Sequence, residues 1–107
     1  HFGPVVMFGL GGIFVEVLRD VSFRVVPPTD LDLDEMVREI RGYPLLAGVR
    51  GRKPLDEAIL KDILAKVARM AAAHPEIREV DLNPVIVHER GASVVDARIL
   101  IGKGESS

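Results

Sequence analysis

The chain has 107 residues, 48% apolar and 28% charged, and its 14 basic and 16 acidic side chains leave a formal net charge of -2. This length and apolar content predict one domain with a core and exclude disorder, while the charge balance does not point to nucleic acid as a partner. With no cysteine there is neither a disulfide framework nor a thiolate metal site, which leaves a cytoplasmic setting as the expectation.

Residues 5–8 and 13–18 are short apolar runs separated by Gly9-Leu10-Gly11-Gly12, and they read as two strands joined by a glycine hairpin. The glycines and Glu16 interrupt a stretch already too short for a bilayer span of roughly 20 helical residues. It also lacks the charged leader and cleavage site of a signal peptide, so no membrane association is expected. The chain opens at His1 and the strand pattern starts almost at once, which reads as a piece cut from a longer polypeptide. Residues 22–26 continue as a third strand, or as an extension after a bend near Arg19-Asp20, and near-continuous apolarity predicts a sheet covered on both faces. Pro27-Pro28 stops it. Thr29 and Asp30 or Asp32 are N-cap candidates for a helix of about ten residues. Asp34 and Glu35 lie near its N-terminus, Met36, Val37 and Ile40 form its apolar face, and Gly42 ends it. Residues 43–54 read as a loop. A longer helix runs from near Leu55-Asp56 to His74, with Leu55, Ile59, Ile63, Val67 and Met70 at helical spacing beside Leu60, Leu64 and Ala71. Pro75 enforces its end. Two β-branched segments, 79–87 and 93–101, flank Glu89-Arg90-Gly91 as an antiparallel hairpin, and residues 102–107 form a polar tail expected to fray. Strands, helix, loop, helix and hairpin in that order predict an α+β fold, two helices packed on a mostly antiparallel sheet, in residues 1–101.

The final hairpin holds the most suggestive pair, Asn83 of an Asn-Pro step and Asp96, thirteen positions apart. An even loop with Arg90-Gly91 at its tip sets Val85 opposite Asp96 and Asn83 opposite Arg98, so Asn83 and Asp96 become diagonal neighbours on one face. An odd loop would send them to opposite faces. An amide oxygen and a carboxylate oxygen suit Mg²⁺, which keeps several waters and takes its remaining ligands from nucleotide phosphates. The plainer reading is a strand-edge Asn-Pro step and a solvated Asp96, or one paired with Arg98. Gly9-Leu10-Gly11-Gly12 is read as a turn needing positive φ rather than a phosphate loop, because a dinucleotide fingerprint leads into a helix. Glu16, inside an apolar run, calls for a partner if buried; an ion pair with Arg19, Arg24 or Arg98 competes with a functional role. Glu79 and Asp81 share a strand face with Asn83 and either orient the site or keep one sheet edge soluble. Arg50, Arg52 and Lys53 form a short basic cluster that a solvated loop explains as well as a phosphate contact does. His1, His74 and His88 have no second ligand at metal spacing and no triad partner, and none is assigned catalysis.

Four segments together carry a family resemblance. Residues 3–24 run from Gly3-Pro4-Val5 through Gly9-Leu10-Gly11-Gly12 and Glu16-Val17-Leu18-Arg19-Asp20 to Ser22-Phe23-Arg24. Gly42-Tyr43-Pro44-Leu45-Leu46 with Gly48, Arg50 and Gly51, then Asp81-Leu82-Asn83-Pro84, then Val95-Asp96-Ala97-Arg98, complete the set. In unbroken order over residues 3–101, they resemble the C-terminal part of the ATP-grasp domain of ADP-forming acyl-CoA synthetases, the acetate-CoA ligase family related to the succinyl-CoA synthetase β subunit.

The resemblance implies a parent enzyme that interconverts acid, CoA and ATP with acyl-CoA, ADP and phosphate through an acyl phosphate and a phosphohistidine. It implies nucleotide (ATP or ADP) between two α+β subdomains, with Mg²⁺ held at the positions matched by Asn83 and Asp96; Glu16, Asp81 and Arg98 are candidates for the surrounding shell. The family's adenine hinge, phosphate-contacting Lys and glycine-rich loop belong to the other ATP-grasp half, and the CoA-binding part with its phosphohistidine lies elsewhere. Those parts are the implied partners, and the isolated piece is expected to be inactive, to bind nucleotide weakly and to expose an apolar patch. The alternative is a ligand-sensing ATP-grasp module of an acetyltransferase fusion protein, and a purely structural α+β domain is a third.

Overall fold

The computed structural model describes residues 4–102, so His1 and most of the polar tail lie outside the described residues. The order is β1 (Val5–Gly9), α1 (Ile13–Glu16), β2 (Val21–Val25), α2 (Asp30–Arg38), α3 (Tyr43–Ala47), α4 (Glu57–Ala73), β3 (Ile77–Leu82), β4 (Val85–Val87), β5 (Ala92–Val94) and β6 (Ala97–Ile101). Strands pair antiparallel as β1–β2, β3–β6 and β4–β5. The α+β expectation holds, with three two-stranded ladders in place of one sheet and two short helices besides the expected pair.

Alternation in β1 and β2 turns Val6, Phe8 and Ser22 inward. They meet Leu33, Met36 and Val37 of α2 and Leu60 and Leu64 of α4, and with Ile40 and Leu46 these make the core. Helix α2 starts at a reciprocal cap, in which the Thr29 hydroxyl accepts from the Asp32 amide (3.0 Å) and the Asp32 carboxylate accepts from the Thr29 amide (2.9 Å). Asp56 caps α4, accepting from the Ile59 amide at 3.0 Å. The buried Ser22 hydroxyl donates to the Met36 carbonyl at 2.6 Å, fastening β2 to α2.

Four local expectations are corrected. Residues 13–16 are helix α1 rather than a strand, and β1 pairs instead with β2, Val5 opposite Val25 and Gly9 opposite Val21. Gly11 and Gly12 do have positive φ (82° and 54°), but they turn the chain into α1 rather than closing a hairpin. A short apolar run has too few residues for its period to distinguish strand from helix. The β1–β2 sheet is covered on one face only among the described residues: Val5, Met7, Phe23 and Val25 are each more than half exposed. Helix α2 stops at Arg38, and Gly42 is the N-cap of α3, which occupies part of the expected loop. Pro44 sits in that first turn, where its missing N–H costs nothing. Lastly, the closing hairpin is two ladders, interrupted where the Asn83–Pro84 step leaves the strand.

Candidate functional site

The register of the closing ladders places the expected pair. Asp81 faces Arg98 and Leu82 faces Ala97 in β3–β6, while Val85 faces Val94 and Val87 faces Ala92 in β4–β5. Between them the Asn83 amide donates to the Asp96 carbonyl (3.0 Å) and the Val95 amide to the Pro84 carbonyl (3.0 Å). Asn83 therefore stands directly opposite Asp96. The expected diagonal, with Val85 opposite Asp96 and Asn83 opposite Arg98, is two residues out of register. The connection is even, as the same-face argument required, but its tip is Glu89-Arg90, with the His88 amide donating to the Gly91 carbonyl at 2.9 Å. Both Asn83 and Asp96 are exposed.

A cleft of about 500 Å³ opens between β1, the glycine loop, α4 and residues 80–87, and Glu16, Asp81 and Asn83 are among its lining residues. The remaining wall is largely apolar, including Leu64, Val67 and Leu82. Arg98 instead lines a smaller hollow of about 300 Å³ with Glu79. Thus Glu16, Asp81 and Asn83 share one cleft, Asp96 joins them through its backbone bond to Asn83, and Arg98 enters only as the cross-strand neighbour of Asp81. Glu16 is exposed at the end of α1, so the burial that would have demanded a partner does not occur. Arg24, one partner considered for it, binds α2 instead, reaching Glu39 at 2.6 Å, Glu35 at 3.7 Å and Asp32 at 3.8 Å.

The donor set bears on which ion could fit. Among the described residues no three His, Cys, Asp or Glu side chains cluster with metal-holding geometry. One carboxylate and one amide oxygen do not make an all-protein cage and offer nothing to a soft metal. They fit a hard cation that keeps its waters and is completed by phosphate oxygens.

Sequence reasoning missed the residues that hold this region in place. The Asp56 carboxylate accepts from the Ile59 amide with one oxygen and from the Gly91 amide, 35 positions away, with the other at 2.6 Å. Its own amide donates to the His88 carbonyl at 2.7 Å. The Gly91 amide, then that of Ile59, hold the Asp56 carboxyl below the usual range. Only its place near the start of a helical run was legible. Burial raises the Glu57 pKa, but hydrogen bonds from Tyr43 Oη (2.7 Å) and Arg38 Nε (3.0 Å) outweigh it and leave the carboxyl below its ordinary range. Asp20, 6% exposed, accepts from the Arg41 and Gly42 amides at 2.6 and 2.7 Å, and no pattern in the sequence marks it.

The model of the ATP-grasp domain family matches residues 1–101. The chain is 57% identical over 101 residues to the β subunit of acetate–CoA ligase (ADP-forming) I of Pyrococcus furiosus, covering 94% of this chain and 44% of that protein. It is 51% identical over 103 residues to acetate–CoA ligase (ADP-forming) I of Archaeoglobus fulgidus, covering 96% of this chain and 15% of that protein. A solved structure of acetyl-coenzyme A synthetase 1 from Ca. Korarchaeum cryptofilum, in complex with coenzyme A and Mg-AMPPCP and with its phosphohistidine segment pointing towards the nucleotide binding site, superposes with a TM-score of 0.89 at 52% identity, covering 94% of this chain and 47% of that one. The chain thus spans less than half the length of each of these relatives. No helix of the described residues is long and apolar enough to cross a membrane. With 101 of the 107 residues matched by the family model and the same architecture present in a solved relative, the chain belongs to the ATP-grasp domain family.

Proposed function

We propose that residues 1–101 are the C-terminal subdomain of the ATP-grasp domain in an ADP-forming acyl-CoA synthetase, with a cytoplasmic setting. The observation that carries this reading is the high identity, over nearly the whole chain, to ADP-forming acetate–CoA ligases, and the pairing of Asn83 with Asp96 supports it. The reaction would convert acid, CoA and ATP to acyl-CoA, ADP and phosphate by way of an acyl phosphate and a phosphohistidine. Its partners would be the other ATP-grasp half and a CoA-binding, phosphohistidine-bearing domain or subunit, which would also bring in the CoA thioester. The acetyltransferase-fusion reading draws no support from the relatives named above.

Asn83 and Asp96 would hold Mg²⁺ through the amide and carboxylate oxygens. When bound, Mg²⁺ supplies charge neutralisation at the phosphate oxygens and aligns them for transfer. Asp81 and Glu16 add negative charge along the cleft that Asn83 shares, which favours a cation over a free anion there. Arg98, across the ladder from Asp81, offsets part of that charge.

The test is acyl-CoA cleavage dependent on ADP and phosphate, in the full-length protein carrying this chain. Asn83→Ala and Asp96→Ala should each lower Mg-dependent turnover by about a hundredfold or more, the scale of losing one electrostatic stabiliser of a transition state. Undiminished turnover in both variants would remove the pair from the metal site. No cleavage of any acyl-CoA by the wild type would remove the ligase reading.

A further inference from the structure

We infer that Asp56 is a positioning residue for the Asn83 and Asp96 pair, acting by tying the tip of the β4–β5 hairpin to the N-terminus of α4. The inference rests on the metal reading proposed above.

The hairpin needs such a tie. Its strands have three residues each, and a two-stranded hairpin of that size has little stability of its own. At its base the ladder is interrupted, leaving the Asn83 amide on Asp96 and the Val95 amide on Pro84 as the bonds that join it to β3–β6. Any rocking of the hairpin would therefore be felt at the two residues that would hold the cation.

Asp56 addresses the opposite end. One carboxylate oxygen is spent on capping α4 at Ile59, and the other takes the Gly91 amide in the hairpin turn. The Asp56 amide reaches the His88 carbonyl in the same turn, so two bonds of opposite polarity clamp it. Bonds from N–H groups to a carboxylate are the stronger kind. Helix α4 is a firm anchor because Leu60, Leu64 and Ala68 are buried. Capping explains one of the carboxylate's two bonds and leaves the other, across 35 positions, unexplained.

Two substitutions separate the roles. Ser and Asn are as good as Asp at an N-cap, so Asp56→Ser and Asp56→Asn should keep α4. Ser has one short-reaching oxygen and Asn one acceptor oxygen, so neither can hold both Ile59 and Gly91. In the full-length protein, Mn²⁺ titrated against a saturating ADP complex and followed by electron paramagnetic resonance should bind about tenfold more weakly in both variants, the lower end of what partners outside the ligand set contribute. Amide exchange at Asn83 and Val95 should speed up while the centre of α4 stays protected, a pattern that loss of a cap would not give. Mn²⁺ affinity within about twofold of wild type in both variants overturns the inference. Asn83→Ala and Asp96→Ala are run alongside. If these two lose Mn²⁺ and the Asp56 variants keep it, only the positioning role falls. If wild type binds Mn²⁺ no better than the Asn83→Ala and Asp96→Ala variants do, the metal reading falls and takes the inference with it.

Discussion

Asp20 shows how one carboxylate can decide the local shape of this molecule. Buried at the start of β2, it takes the amides of Arg41 and Gly42 where α2 gives way to α3. A Cβ at residue 42 would stand 3.3 Å from its Oδ2 and 2.5 Å from Leu10 Cδ1, so the junction is closed around a glycine. Asp20→Ala would leave these two donors without an acceptor, and a loss of roughly 2–4 kcal/mol in urea unfolding is expected. A loss under about 1 kcal/mol would mean that water replaces the carboxylate. Nothing in the sequence could announce this, since the partners are backbone groups more than 20 positions away. Asn83 and Asp96 were legible for the opposite reason, because strand alternation and an even loop put them on one face. Their register came out two residues wrong because the turn centres on Glu89-Arg90 rather than on the glycine. Glu16 was misjudged with its element, as a carboxylate at the end of an exposed helical turn needs no partner.

Among the elements, α2 was readable from its cap and apolar face and α4 from its period and the Pro75 that ends it, whereas α1 and α3, with four and five residues, are too short to display a period. Helices α2 and α4 also carry the acid sensitivity of the fold. The Thr29 amide holds the Asp32 carboxyl down, the Lys61 ammonium does so for Asp34, and the Arg24 guanidinium for Glu39. Asp56 and Glu57 are held down as well. A carboxyl whose pKa is depressed on folding contributes stability that is complete above its unfolded value and is lost as pH falls through its folded value. Those unfolded values are 3.8 for Asp and 4.5 for Glu. The urea midpoint is therefore expected to fall as pH drops from about 5 towards about 2. Arg24→Met should shallow that slope, because Glu39 then titrates near its ordinary value. A midpoint that stays level or rises over this interval would contradict the account.

On the scale of the whole molecule, the chain is drawn out, 53 × 26 × 25 Å with a radius of gyration of 14.5 Å, against about 13 Å for a compact domain of 100 residues. Apolar side chains are also left uncovered. An exposed apolar patch was expected from the family resemblance, but composition could not place it on β1–β2, because an apolar run reads alike whether one face or both are covered. On the proposed reading, in which the other ATP-grasp half supplies the second wall and the base pocket, calorimetry on the 107-residue chain should find weak or undetectable ATP binding even with Mg²⁺ present. Submicromolar affinity would place a complete site within this chain. The outer face of β1–β2 has a further consequence. Val5 faces Val25 and Met7 faces Phe23, so four side chains that are 51% to 60% exposed form one continuous apolar patch. Such patches are covered in stable proteins or drive association. The isolated chain should self-associate with rising concentration in sedimentation velocity, sheet face against sheet face. The double substitution Met7→Lys and Phe23→Lys should restore the monomer, because both side chains point away from the core and charge on one copy would oppose the same charge on the next. A wild-type chain that stays monomeric throughout, or a double variant that associates as strongly as wild type, would move the contact away from this face.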